Sequence, residues 1–307
     1  MKYGFGVDLG GTTVKIAYFD ETGKMLSKWE IPTVTKNGGA QILPDIAASI
    51  AAFRKEHQIS DTDLLGVGIG VPGAVSKGVV NRCVNLGWGV VPIEEELSRL
   101  TGLPAKASND ANVAALGEYW MGGGQGSENV VFITLGTGVG GGIIVDGRIV
   151  SGLGGAGGEP GHSLLVLNGE PCTCGRRGCW EVYASATALI RQGREAAAAH
   201  PTSLLNRYPE LTGRDVFDAA DAGDEAAQAV LERYYVYVAA GITDLVNILS
   251  PEMVLIGGGI SRQGERLLRP IRRYVAANCF GGENRPQPVI QAAQLGNEAG
   301  IIGAAAL

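Results

Sequence analysis

The chain has 307 residues, enough for about two domains, and its 45 % hydrophobic and 18 % charged content excludes a disordered polypeptide. Glycine is in excess, 48 residues or roughly twice the usual ~7 %, yet no Gly-X-Y period runs through it, which excludes collagen and points to tight turns and close backbone approach. Acidic residues outnumber basic ones 31 to 25, for a net charge of −6, and no run of Lys or Arg is present, so binding to nucleic acid or a membrane surface is disfavoured.

In chain order, Tyr3–Asp8 reads as a strand, Leu9–Thr12 as a glycine turn, Thr13–Phe19 as a second strand, and residues after Lys24 as a third, a β-meander. A helix follows over about Ala40–His57, with Ile42, Ile46, Ile50 and Phe53 on one face. Leu64–Val71 is a buried strand that ends at Pro72-Gly73. Pro92–Leu100 is a helix with Glu94, Glu95 and Glu96 in its first turn and Gly102 after its end. Pro104–Ser108 is a strand, and Asn109-Asp110-Ala111-Asn112 opens another helix. The pattern then restarts with strands at Asn129–Leu135, Gly142–Val145 and Arg148–Ser151. Helices over about Ala184–Ala199 and Asp224–Leu249 follow, the second stopped by Ser250-Pro251. Met253–Ile256 and Val289–Gln294 are the last strands, and an apolar helix ends the sequence. The N-terminus lacks the apolar core of a signal peptide and no apolar stretch approaches ~20 residues, so a cytoplasmic protein is expected.

Leu9-Gly10-Gly11-Thr12 is echoed by Leu135-Gly136-Thr137-Gly138, Val67–Gly70 by Leu255–Gly258, and Asn109–Asn112 by Asn297–Gly300. The economical reading is a duplicated βββαβα unit, giving two similar α/β domains that face each other across a cleft. The first is residues 1–118, completed by the helix 297–307; the second is 119–296.

Five features are candidates for chemistry. In Asp8-Leu9-Gly10-Gly11-Thr12-Thr13, glycines let backbone N–H groups converge on phosphate oxygens and threonine hydroxyls add donors. Asp8 could hold a magnesium ion through water. The strand pattern Val14–Tyr18 that follows disfavours a P-loop or dinucleotide fingerprint, both of which run into a helix; a plain hairpin is the alternative, and the echo at Gly136-Thr137-Gly138 argues against it. His162, Cys172, Cys174 and Cys179 supply one imidazole and three thiols within 18 residues of glycine-rich chain, the donor set of a closed structural zinc site. The isolated Cys83 and Cys279 read as small core residues, and His57 and His200 as surface residues. Asp110, at a strand-to-helix switch, is either a general base for a hydroxyl or part of a plain N-cap, which Asn109 or Asp110 would fill. Glu159 and Glu181 flank the thiol cluster and are either sugar-hydroxyl acceptors on a metal-pinned loop or solvated surface. Gly257-Gly258-Gly259 either lets an adenosine lie on bare backbone or is a plain turn.

VDLGGT at 7–12, SNDANVAALGE at 108–118, TLGTGVGGG at 134–142, GEPGH at 158–162, CTCGRRGCWE at 172–181 and NEAGIIGAA at 297–305 together resemble the ROK sugar kinases, across nearly the whole chain. Within that family the chain is most similar to the ATP-dependent glucokinases of bacteria. The resemblance implies a two-domain hexokinase/actin-like (ribonuclease H-like) fold and a homodimer or homotetramer. It implies transfer of phosphate from ATP to glucose, giving glucose 6-phosphate, with Mg²⁺ and a structural Zn²⁺. N-acetylmannosamine, allose and fructose are the alternative sugars. By the same resemblance, Asp110 is the base. Gly73, Asn109, Glu159, His162 and Glu181 join it as sugar contacts, His162 binding zinc through its other ring nitrogen. Asp8, Gly10, Gly11, Thr12, Thr13 and Lys15 form the first phosphate loop, Thr137 and Gly138 the second, and Gly258 lies by the nucleotide. Pro160 and Ser108 depart from the residues common at those positions. A sugar-responsive repressor of the same family is disfavoured, because the first loop begins at Val7 and leaves no room before it for a helix-turn-helix.

Overall fold

A computed structural model describes residues 2–307. β1 (Tyr3–Leu9), β2 (Thr13–Asp20) and β3 (Met25–Pro32) form the expected meander. α1 (Ile42–Glu56) leads into β4 (Leu64–Val71), which runs parallel to β1. A small hairpin, β5 (Val75–Ser76) and β6 (Val79–Val80), turns through Lys77 and Gly78, both at positive φ. α2 (Ile93–Thr101) ends where Gly102 enters the left-handed region at φ 71°. β7 (Ala105–Asn109) then pairs parallel with β4 and passes directly into α3 (Asp110–Met121). The sheet order is β3-β2-β1-β4-β7.

The second half repeats this order. β8 (Val130–Leu135), β9 (Val139–Val145) and β10 (Arg148–Ile149) are followed by α4 (Glu181–Ala184), α5 (Ala186–Ala199), α6 (Gly213–Asp221) and α7 (Glu225–Leu249). β11 (Met253–Gly257), α8 (Glu265–Asn278), β12 (Val289–Ala292) and α9 (Ala299–Ala305) complete the chain. The sheet order is β10-β9-β8-β11-β12, the same succession of meander and parallel strands. Several elements differ from the sequence reading. The helix expected over 184–199 is two helices, because Ser185 adopts an extended ψ of 164° and caps α5 by accepting from Ala188 N–H. β9 starts at Val139, since glycines 140–142 carry no side-chain pattern to reveal a strand. The short helix α6 and the hairpin β5–β6 were not anticipated; α6 is nine residues closed by a Thr212/Asp215 capping box, too short for its period to stand out.

The chain divides into two compact units. One comprises Met1–Gly126, Gly142–Gly158 and Leu295–Leu307; the other comprises Ser127–Gly141 and Glu159–Gln294. Residues 142–158 pack with the first unit, where Gly142 lies against Ala111 and Ala115 of α3 and Gly155 against the backbone of Val75.

In the first unit, alternation along β1 sends Phe5, Val7 and Leu9 into a core shared with Ile46 and Ile50 of α1 and Leu97 of α2. Gly6 and Asp8 point to the other face, where α9 lies. A Cβ at Gly6 would overlap the Ile301 carbonyl, one at Gly68 the Ala304 carbonyl, and one at Gly303 the Val113 carbonyl. These glycines are needed for close helix-on-sheet and helix-on-helix approach. Gly68→Val is therefore expected to destabilise the protein by about 3 kcal/mol or more, the upper end of overpacking, because backbone cannot step aside as a side chain can. A urea midpoint equal to that of the parent chain would refute this. The second unit buries Trp180, Phe217 and Tyr234 with Ile133, Ile256 and Ile271, and the Tyr234 hydroxyl donates to the Ala184 carbonyl at 2.8 Å.

Candidate active site

In the first unit, the parallel strands β1, β4 and β7 all point their carboxyl ends the same way, the end of such sheets where ligands bind. Register places Asp8 opposite Gly70, Gly70 opposite Ser108, and Val71 opposite Asn109. This brings Asp8, the Gly10–Thr13 turn, Gly73, Asn109 and Asp110 to one edge. The Asn109 side chain caps α3, accepting from Ala111 N–H at 2.9 Å and Asn112 N–H at 3.2 Å, while its Nδ2 donates to the Gly73 carbonyl at 3.3 Å. Asn109, not Asp110, is thus the N-cap, and Asp110 occupies the first helical position. Its Oδ1 accepts from Ala111 N–H at 2.8 Å. Asp110 is exposed, yet neighbouring protein partly desolvates its carboxylate. Desolvation by burial raises its pKa, and the negative charge of Asp8 raises it further, against the lowering pull of the Ala111 N–H. Asp8 is itself pushed up by burial, opposed by Lys15, whose Nζ lies 3.6 Å from Oδ2. The glycine turn closes by Gly10 N–H donating to the Thr13 carbonyl at 3.1 Å and leaves Gly11 and Thr12 exposed.

Two residues that sequence reasoning missed brace this edge. Thr33 donates its hydroxyl to the Gly10 carbonyl at 2.8 Å and its N–H to the Thr12 carbonyl at 2.9 Å. The buried Cys83 thiol donates to the Pro72 carbonyl at 2.9 Å, under the turn that carries Gly73. Neither has a local signal, because each acts across a long sequence separation.

In the second unit, the carboxyl ends of β8 and β11 bring two glycine turns together. Gly258 is left-handed at φ 84°, and a Cβ there would overlap the Leu135 carbonyl, so Gly258 sits against the root of the Gly136-Thr137-Gly138 turn. That turn closes by Gly136 N–H donating to the Gly138 carbonyl at 3.0 Å, and Ala186 N–H donates to the Gly136 carbonyl at 2.9 Å. Glu181, at the start of α4, accepts from Val139 N–H through Oε2 at 3.1 Å and from the Cys172 thiol through Oε1 at 3.6 Å. Glu159 lies exposed, and its carbonyl accepts from His162 N–H at 3.2 Å.

His162, Cys172, Cys174 and Cys179 converge, with all four donor atoms within 4.8 Å of one another. Cys172 Sγ is 3.7 Å from His162 Nδ1, and the Cys174 and Cys179 sulfurs are 3.6 Å apart. Four donors at ~2.0–2.3 Å around a tetrahedral ion would stand about 3.3–3.8 Å from each other, so this cluster fits a structural zinc. The ring nitrogen turned toward the thiols is Nδ1, which leaves Nε2 for any other partner. Burial among the other thiols pushes Cys179 up to about 12, whereas the Arg176 N–H holds the exposed Cys174 below the usual thiol range. A bound divalent cation reverses this, deprotonating buried thiols outright.

Residues 4–307 match the ROK family model. The chain belongs to the ROK family. Among ROK relatives, it is 43 % identical to a glucokinase of Halalkalibacterium halodurans over 97 % of this chain and 92 % of that one, and 39 % identical to a glucokinase of Thermotoga maritima over 98 % and 96 %. A ROK family glucokinase from Streptomyces griseus, solved in complex with glucose and AMPPNP, superposes with a TM-score of 0.78 at 38 % identity, covering 99 % of this chain and 98 % of that one. The α/β architecture with two mixed sheets of matching order is thus that of the ROK sugar kinases and their hexokinase/actin-like fold. Among the described residues, no helix is long and apolar enough to cross a membrane.

Proposed function

We propose that this ROK protein is an ATP-dependent glucokinase that forms glucose 6-phosphate. The observation that carries the proposal is the pairing of Asp110 with Asp8 and the Gly10–Thr13 turn at the carboxyl ends of β1, β4 and β7, in a chain about two-fifths identical to glucokinases over nearly its full length. Asp110 takes the proton from the sugar hydroxyl. That oxygen bonds to the γ-phosphorus as the bond to the bridging β–γ oxygen breaks, and ADP leaves. A positioned base is worth ~10²–10⁴-fold. The raised pKa of Asp110 makes it a better proton acceptor than an ordinary aspartate.

Gly73, Asn109, Glu159, His162 and Glu181 are the proposed sugar contacts. Gly10, Gly11, Thr12, Thr13, Thr137 and Gly138 are the proposed phosphate contacts, Lys15 a further cation by the first loop, and Gly258 the floor for the nucleoside. Asp8, a carboxylate held in a desolvated position beside Lys15, would hold the Mg²⁺ that accompanies ATP, through water. His162, Cys172, Cys174 and Cys179 would hold zinc, which when bound cross-links a segment with little core of its own: Leu164 and Leu167 are both exposed. Its chemistry is structural, since four protein donors leave no open position. Cytoplasmic residence, which five free cysteines suit, and assembly as a homodimer or homotetramer go with this reading.

The test is ATP consumption, coupled to product detection, over a panel of glucose, N-acetylmannosamine, allose and fructose, repeated with polyphosphate as donor. Glucose with ATP is expected to give the highest kcat/KM. A higher value for another sugar would transfer the assignment to that sugar, and turnover with none would overturn it.

A further inference from the structure

We propose that Glu181 masks the second glycine loop, so that the nucleotide's phosphates bind well only after a sugar has drawn this carboxylate away. The inference rests on the glucokinase reading for the identity of the two ligands, but its geometry lies entirely within the second unit.

Glu181 Oε2 accepts from Val139 N–H at 3.1 Å, the backbone donor next to Gly138. The same oxygen sits so close to Gly138 that a Cβ there would overlap it. A glycine loop that cradles phosphate works through bare backbone and convergent N–H groups. Here the bare face at Gly138 and the adjacent N–H are covered by a carboxylate, the one common side chain that repels a phosphate. Like charges a few ångströms apart interact strongly where protein displaces water. The loop is otherwise held ready: Gly136 N–H closes it onto the Gly138 carbonyl, Ala186 N–H fixes the Gly136 carbonyl from behind, and Gly258 packs against its root. Glu181 obstructs its Gly138 side.

Glu181 is also free to leave. It is partly exposed, and its second oxygen has a weak, long contact at 3.6 Å with the Cys172 thiol. A contact of that kind gives way to better donors, and sugar hydroxyls are better donors. A sugar that takes the Glu181 carboxylate as an acceptor uncovers Val139 N–H and removes a negative charge from the front of Gly138 in one movement. This makes Glu181 a residue that sets binding order. A triphosphate admitted before the sugar would be exposed to transfer onto water, and the mask lowers its occupancy in that state.

The coupling is measured by calorimetric titration of a non-hydrolysable ATP analogue with Mg²⁺, without and with saturating glucose. For the parent chain, glucose is expected to tighten analogue binding by about ten-fold, within the usual 5–150-fold range of coupled sites, and the analogue must tighten glucose by the same factor. Glu181→Gln keeps an acceptor for Val139 N–H but removes the charge. Without sugar it is expected to bind the analogue about ten-fold more tightly than the parent chain, and glucose is expected to add little more. The proposal is overturned if glucose leaves the parent chain's analogue affinity unchanged, a result that needs no variant. It is equally overturned if folded Glu181→Gln, checked by circular dichroism and zinc content, binds the analogue no better than the parent. Turnover with glucose but no binding coupling would remove the mask and leave the kinase assignment standing. Absence of turnover would remove the assignment, while the sugar-free comparison of parent and variant would still decide whether the carboxylate repels phosphate.

Discussion

Asp110→Asn is expected to lower kcat by ~10²–10⁴-fold and to leave the fold and the metal content of the thiol cluster unchanged. Asn at this position keeps the size of the side chain and an oxygen for the Ala111 N–H, and the cap of α3 belongs to Asn109. What disappears is the ability to accept a proton. The stability effect should have the opposite sign to the activity effect. Burial and the Asp8 charge raise the pKa of Asp110 in the folded chain, so the native state binds that proton more tightly than the unfolded state does. Stability from this group is therefore full below the ordinary carboxylate range and declines as pH rises through the raised value. Above that raised value the ionised Asp110 is a cost, which Asn removes, and there the variant's thermal midpoint is expected to be equal to or above that of the parent. The same shift predicts that the acid limb of kcat/KM falls at a pH above that of an ordinary aspartate. Full activity in the variant would refute the assignment of the base, and a fall in activity together with loss of the folded state would show a structural role instead.

Replacing Cys174 by Ala is expected to reduce bound zinc to a small fraction of that in the parent, to lower the thermal midpoint and to raise the glucose KM by at least ~10-fold, the scale on which a disturbed metal shell is felt. Cys174 is the exposed member of the cluster, so its removal opens no core cavity and the loss is attributable to the donor. The segment from Glu159 to Glu181 then loses the cross-link between its two ends and relies on its hydrogen bonds and on the buried Trp180. Its apolar residues Leu164 and Leu167 are exposed, and it is pinned by backbone bonds such as Trp180 N–H to the Ser163 carbonyl at 2.8 Å. Zinc contributes ~10–16 kcal/mol to the folding of small modules that have no core without it, which sets the scale of the effect. A strong chelator should reproduce the variant's behaviour in the parent chain. Parent-like glucose affinity in metal-free protein would show that the cluster does not support sugar binding.

The two halves of the fold were legible because their strands are short, apolar and punctuated by glycine and proline. Leu64–Val71 begins and ends where the pattern places it, and Gly102 and Ser250-Pro251 stop their helices at the expected points. The boundary at Val139 was not legible, since three glycines carry no alternation, nor was the break at Ser185, since helix propensity is similar on both sides of it. The cysteine and histidine spacing pointed to a four-donor cluster, and the donors do converge. Sequence could not choose between base and cap for Asp110; geometry gives the cap to Asn109.

Composition, local periodicity and chemically distinctive spacings acted within a few residues, and for that reason the sequence alone determined the α/β class, the duplicated order of strands, the two glycine turns and the thiol–imidazole cluster. Tertiary structure alone decided which groups meet across long separations. It set the raised pKa of Asp110 beside Asp8, placed Thr33 and Cys83 under their turns, and laid Glu181 over Val139 N–H. Those relations depend on strand register and desolvation, which are properties of packed neighbours and leave no periodic trace along the chain.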